Sequence, residues 1–470
     1  MLEKKLSLRN DFIVTGLNGI STVFGLFLVS GYMARSLGLD ILGEYLFLRR
    51  IVTSFVGVLL LGMNITIPIL IAKNRNSAIG DAAIIIFLFV TVPIIFGLKG
   101  LGNFYFFSGS LSLPHTLFIL GFCFLTLTYS LYRGHLNLLG ANLLQFIAGT
   151  IFSIISVYIA TSLEQFLLII GSSMLFLSFV AFFLRNRGIK FNRISNYEIK
   201  ELINFGLSRI PGFIFQFFML AGPPLLALSY LNLTDLAFLN AGLSLVRIFL
   251  IAVGPLGIIL LPRVSNSISK GMTESLRKNL SLLAKSTLFY GSISSIALSQ
   301  FSNDILSLWL GSSTILAGKT SQILFFSTPF FLLCAILRSP IDAITNRGYN
   351  SFVYAIGVCG MIATFLIMII NNAEPILAAA WGFFIGYFLA AIVSYIIVSI
   401  VFRLNIFSVQ YLLSIIFSNI TIYIIFSIIP FYGNLKMFIS MVIFFILLTF
   451  HFLMSKEEWV LSFRRILFPN

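Results

Sequence analysis

The chain reads as an all-α, polytopic membrane protein, and three observations lead there. Of its 470 residues, 59% are hydrophobic and 10% charged, against about 25% charged in a soluble domain; the mean hydropathy is +1.05. A water-soluble globule of that composition would expose large apolar patches. The apolar residues gather into runs near the roughly 20 residues that a helix needs to cross about 30 Å of hydrocarbon, without the alternation of barrel strands. Lys and Arg concentrate in alternate loops, as they do in inserted membrane helices.

Taken in order, the first run is 12–34, preceded by the basic segment MLEKKLSLRN. It is longer than a signal-peptide core of about 7 to 15 residues and no A-x-A site follows, so it is expected to be an uncleaved helix starting in the cytosol. The further runs are 46–72, 79–98, 114–131, 141–160, 166–184, 205–230, 236–261, 282–298, 323–343, 352–370, 376–402, 412–429 and 437–454, which makes fourteen transmembrane helices. The longest polar stretches, 185–204 and 262–281, are too short for a soluble catalytic domain. At the C-terminus, KEEWVLSFRRILF sets Trp459, Phe463, Ile466 and Leu467 beside Arg464 and Arg465, the pattern of an interfacial helix.

With the N-terminus inside, 22 of the 30 Lys and Arg fall on the cytosolic side, six lie outside or near outer helix ends, and Arg209 and Arg247 lie within helices. Both termini are therefore expected in the cytosol. The net charge of +15 follows from this topology and from anionic headgroups, so it implies no nucleic-acid partner.

An internal repeat organises the chain. At an offset of 194, residues 37–69 align with 231–263: Leu37 falls on Leu231, Leu42 on Leu236, Phe55 on Phe249 and Pro68 on Pro262. Helix two then corresponds to helix eight. The expectation is a 12-helix core built as two six-helix bundles in parallel, pseudo-two-fold repeat, with a central site between them. The domains are 1–190, a cytosolic linker 191–204, 205–403, and 404–470 with two additional helices and the interfacial helix.

Charged side chains within the membrane cost about 2.5 to 3.5 kcal/mol and are functional candidates by default. Arg247 lies 12 residues after Asp235, or about 18 Å along a helix, near the midplane. Arg49 and Arg50 enter helix two near its outer end, about 100° apart, and the repeat selects Arg50, which lies one turn before Thr53, the residue matched to Arg247. Arg209, beside Pro211 and Gly212, and Arg35, which closes helix one, complete the set. Asp11, Glu44, Asp81 and Asp342 fall near helix ends, so the midplane charge is positive and the expected substrate is an anion. Arginine suits phosphate through bidentate, charge-assisted bonds. There is no GxxxxGK[ST] segment, and His115, His135, His451, Cys123, Cys334 and Cys359 lack metal-ligand or disulfide spacing. No cofactor, metal or enzymatic chemistry is expected.

The segments YMARSLGLDILGEY, GMNITIPILIAKN, GIILLPRVSNSISKG and DILSLWLG, in this order and placement, resemble the polysaccharide-transporter branch of the multidrug/oligosaccharidyl-lipid/polysaccharide exporter superfamily, which includes O-antigen flippases. The resemblance implies an alternating-access transporter of the bacterial inner membrane. It would turn an undecaprenyl-diphosphate-linked oligosaccharide, an O-antigen repeat unit, from the cytoplasmic to the periplasmic leaflet. Arginines in a central cavity would hold the diphosphate, with membrane lipids and other polysaccharide-assembly proteins as partners. Lipid II flippases of the superfamily carry arginines in helices one, two and eight; Arg50 and Arg247 match the latter two, and helix one here has no internal arginine. A multidrug antiporter of the same superfamily and a membrane polysaccharide polymerase are the alternatives. The first calls for buried carboxylates and the second for a large periplasmic loop.

Overall fold

The computed structural model describes residues 8–74, 78–100, 111–186, 196–250, 273–344 and 348–401, and every regular element among them is helical. By its contacts the chain divides into two compact units: Met1–Ala237 with Trp309–Gly311, and Phe238–Leu308 with Ser312–Asn470.

The first unit contains α1 (Leu8–Ser36), α2 (Leu39–Leu59), α3 (Met63–Asn74), α4 (Ala78–Ile86), α5 (Val92–Gly100), α6 (Leu113–Gly134), α7 (Leu138–Phe146), α8 (Phe152–Ile159), α9 (Leu163–Asn186), α10 (Asn196–Leu207) and α11 (Ile210–Ala227). Short π-helical segments, Phe87–Thr91 and Ile147–Ile151, join α4 to α5 and α7 to α8 into continuous spans. Local chemistry sets several ends. Pro114 stands in the first turn of α6, where its missing N–H is not needed, and the Asn137 side chain accepts the Gly140 N–H at 2.9 Å to cap α7. α6 and α9 pack backbone to backbone through glycines: a Cβ at Gly121 would lie 2.6 Å from the Gly171 carbonyl oxygen. Such small-residue contact is how helices associate where lipid removes the hydrophobic drive.

α12 (Leu233–Ile248) begins in the first unit and ends in the second. The second unit continues with α13 (Thr273–Ser299), α14 (Ser302–Leu310), α15 (Ile315–Phe326), α16 (Thr328–Ile344), α17 (Tyr349–Ile370) and α18 (Pro375–Ile396). Within it α17 packs along α18, while α16 packs against both α13 and α18.

Nine helices or continuous helical stretches among the described residues are long and apolar enough to cross a membrane; they coincide with nine of the expected runs, including 141–160 and 166–184. A tenth run, 46–72, is the pair α2 and α3, bent by 51° at Leu60–Gly62. Runs 236–261 and 282–298 fall on α12, which is described to Ile248, and on α13. The runs 412–429 and 437–454 and the interfacial C-terminal segment lie outside the described residues. Phe89, Phe176, Leu184 and Ile370 are each at least 70% exposed. Apolar faces turned outward while the backbone is satisfied within helices are what hydrocarbon solvent requires, so this is a multi-pass membrane protein.

α11 carries Pro223 and Pro224 inside the helix and packs on α2, with Phe213 against Gly57 and Phe217 edge-on to Phe55 at 5.0 Å. α10, packed on α3 and α4, and α11 both belong to the first unit, which runs to Ala237.

Candidate functional site

Five spans of the first unit enclose a cavity of about 340 Å³. Each span contributes one helical stripe, with spacings of three or four residues that keep side chains on one face. From α1 come Thr22, Leu26 and Val29; from α2, Tyr45, Arg49, Thr53 and Val56; from α6, Phe118, Phe122, Leu125, Thr126 and Tyr129. The α7–α8 span gives Gln145, Gly149 and Ser153, and α9 gives Ile170 and Met174. The π-helical segment Ile147–Ile151 sits in this wall, and π-bulges are frequent at functional sites. Beside the wall, Asn18 donates to the side-chain oxygens of Asn142 at 3.1 Å and Gln145 at 2.9 Å, which ties α1 to α7.

The lining mixes aliphatic, aromatic and hydroxyl side chains, and Arg49 is its one charged residue. That arrangement offers a cation for an anionic group, Thr, Ser, Tyr and Gln for hydrogen bonding, and four rings for apolar or sugar faces.

Arg50, the residue selected by the repeat, is not on this wall. It is 4% exposed, and its Nη1 donates to the Leu220 carbonyl of α11 at 3.4 Å. The cause is local to α11. A helical Pro has no N–H for the carbonyl four residues earlier, so Pro224 leaves the Leu220 oxygen without its helical donor. Arg50 supplies one. The stripe Tyr45–Arg49–Thr53–Val56 was the sequence signal for Arg49, and the Pro-Pro pair in α11 was the signal that a neighbouring donor would be needed.

No family model and no curated protein matches the sequence. Solved structures do. The chain is similar to the lipid II flippase MurJ in an inward closed conformation, at 15% identity over 94% of this chain and 99% of that one, with a TM-score of 0.58. It is also similar to a point mutant of the Vibrio cholerae MATE transporter VcmN, at 13% identity over 86% and 98%, TM-score 0.62. The eukaryotic MATE transporter AtDTX14 aligns at 12% identity over 88% and 98%, TM-score 0.59. The chain has the MurJ/MATE fold.

On this MurJ/MATE fold the remaining arginines fall in different surroundings. Arg35 is exposed at the end of α1, with Nη1 3.5 Å from the Gly31 carbonyl oxygen and its stem against Gly311. Arg209 is half-buried at the N-cap of α11 and stacks over the Phe205 ring at 4.9 Å. Arg247 is half-buried in the last turn of α12, in the second unit. Among the described residues no group of three His, Cys, Asp or Glu is arranged to hold a metal ion.

Proposed function

We propose that this protein is a transporter of the multidrug/oligosaccharidyl-lipid/polysaccharide exporter superfamily, and specifically a flippase for an undecaprenyl-diphosphate-linked oligosaccharide such as an O-antigen unit. The observation that carries the reading is the sign of the cavity: Arg49 is the sole charge in a wall of aliphatic, aromatic and hydroxyl side chains. A guanidinium in a low-dielectric cavity binds phosphate oxygens by charge-assisted, bidentate bonds. Hydroxyl, amide and aromatic neighbours match sugar rings, which present hydroxyls at their edges and C–H groups on their faces. Likeness to MurJ, a lipid II flippase, supports a lipid-linked substrate. Arg247 and Arg209 remain in the proposed set for the anion, on the cost of holding a charge within an apolar helix. A multidrug exporter is the second reading, supported by likeness to MATE transporters and opposed by the arginine where a cationic drug needs a carboxylate.

Complementation of a flippase-null strain, with membrane levels checked by blotting, tests the proposal. Arg49→Ala and Arg247→Ala abolish surface polysaccharide, and Arg49→Lys restores part of it. Normal surface polysaccharide from Arg49→Ala at wild-type membrane levels refutes the assigned anion site.

A further inference from the structure

Three helices of the first unit, α2, α6 and α9, start at the same end of the cavity, and each brings a titratable side chain within its first two turns. These are Glu44, His115 and Glu164. His115 Nε2 lies 4.0 Å from Glu44 Oε1, its Nδ1 lies 2.7 Å from the Ser112 hydroxyl, and Glu164 is near enough for its charge to act on both. The imidazole side chain is 9% exposed and that of Glu44 25%, while Glu164 is exposed. The group is therefore embedded at His115 and open at Glu164.

Its place over the cavity follows from helical spacing. Tyr45, next to Glu44, and Phe118, one turn after His115, both line the wall. Tyr45 packs edge-on against Phe166 at 5.0 Å, two residues after Glu164. The rings thus stand beside the charged group at the cavity wall, and they ride on the same three helix ends.

We propose that His115, Glu44 and Glu164 form a proton site that governs access to the cavity from this end. With the proton bound, the imidazolium pairs with the Glu44 carboxylate within the field of Glu164 and holds the three helix ends and their aromatic plug together. When the proton leaves, that ion pair is lost, the like charges of Glu44 and Glu164 are no longer offset by an imidazolium, and the ends separate. Histidine is the side chain whose charge changes in the range where such a gradient operates. The other charges are few. Of the elements packed on α6, α2 also carries Asp40, which Thr234 engages, Arg49 in the cavity and Arg50 on α11. α9 otherwise carries only Arg185 near its far end, α7 carries none, and α3 carries only Lys73 near its far end; α5 carries only Lys99, whose side chain is outside the described residues. The site does not depend on what the cavity transports.

Accessibility tests it without a substrate. In full-length protein in liposomes, with Cys123, Cys334 and Cys359 replaced by Ala and Thr126→Cys as reporter, labelling by a membrane-impermeant maleimide is followed between pH 5.5 and pH 8. Rates are normalised to the denatured protein at each pH to remove thiol ionisation. The normalised rate rises about fivefold with pH, the effect of about 1 kcal/mol at 1.4 kcal/mol per decade. His115→Gln flattens the profile. Glu44→Gln and Glu164→Gln, which keep shape and remove charge, reduce it and cover the case in which the histidine variant does not fold. A flat wild-type profile, or an unchanged profile in folded variants, overturns the proposal; loss of surface polysaccharide in Arg49→Ala is decided separately.

Discussion

Asp40 and Thr234 stand 194 residues apart in the chain and are joined by a hydrogen bond from the Thr234 hydroxyl to the Asp40 carboxylate. That separation is the offset at which 37–69 aligns with 231–263. Gly43 and Ala237, also 194 apart, touch as well: a Cβ on Gly43 would come within 3.2 Å of the Ala237 nitrogen and closer still to the Leu233 carbonyl oxygen. Both contacts lie within the first unit and join the start of α2 to the start of α12.

The crowding at Gly43 gives the first prediction. Any side chain there must displace the backbone of Leu233, so Gly43→Ala lowers stability by about 1 to 3 kcal/mol, the range for overpacking, and Gly43→Leu by more. Thermal unfolding followed by size-exclusion chromatography in detergent measures it. An unchanged midpoint for Gly43→Ala would contradict the contact.

Arg49 and Arg50 should separate activity from stability. Arg49→Ala leaves the unfolding midpoint near wild type, within about 0.5 kcal/mol, and removes transport. Arg50→Ala leaves the half-buried Leu220 carbonyl without this donor and costs about 1 to 3 kcal/mol. Parallel midpoint and complementation measurements check both, and equal stability losses from the two variants would refute the assignment.

Pro224 and Arg50 should be coupled. Pro224→Ala restores an N–H that can reach the Leu220 carbonyl, so removing Arg50 in that background costs less than in wild type. A double-mutant cycle reads the difference as an interaction energy of about 0.5 to 3 kcal/mol. A cycle that closes at zero would show that Arg50 does not serve this carbonyl.

Orientation is expected from the charge bias. Reporter fusions at Asn232 and Asn434 report the periplasm, and fusions at Asn192 and Asn470 the cytosol. A periplasmic signal from Asn192 would reverse the assignment of faces, and with it the side from which protons reach His115.

Helix class and the ten spans seen among the described residues were legible in the sequence because insertion is a local, additive property. Each stretch such as 141–160 or 166–184 has to be apolar enough on its own to replace water with hydrocarbon. The rotation of α2 about its own axis was not legible. Arg49 and Arg50 are adjacent and differ by about 100° in direction, and which one meets the cavity depends on α11, more than 150 residues later, where Pro224 frees the carbonyl that Arg50 occupies. The meeting of Glu44, His115 and Glu164 was hidden in the same way. Composition along one segment decides whether a helix enters the membrane. Which of its faces turns inward is decided by the neighbours it packs against, and only the tertiary structure brings those together.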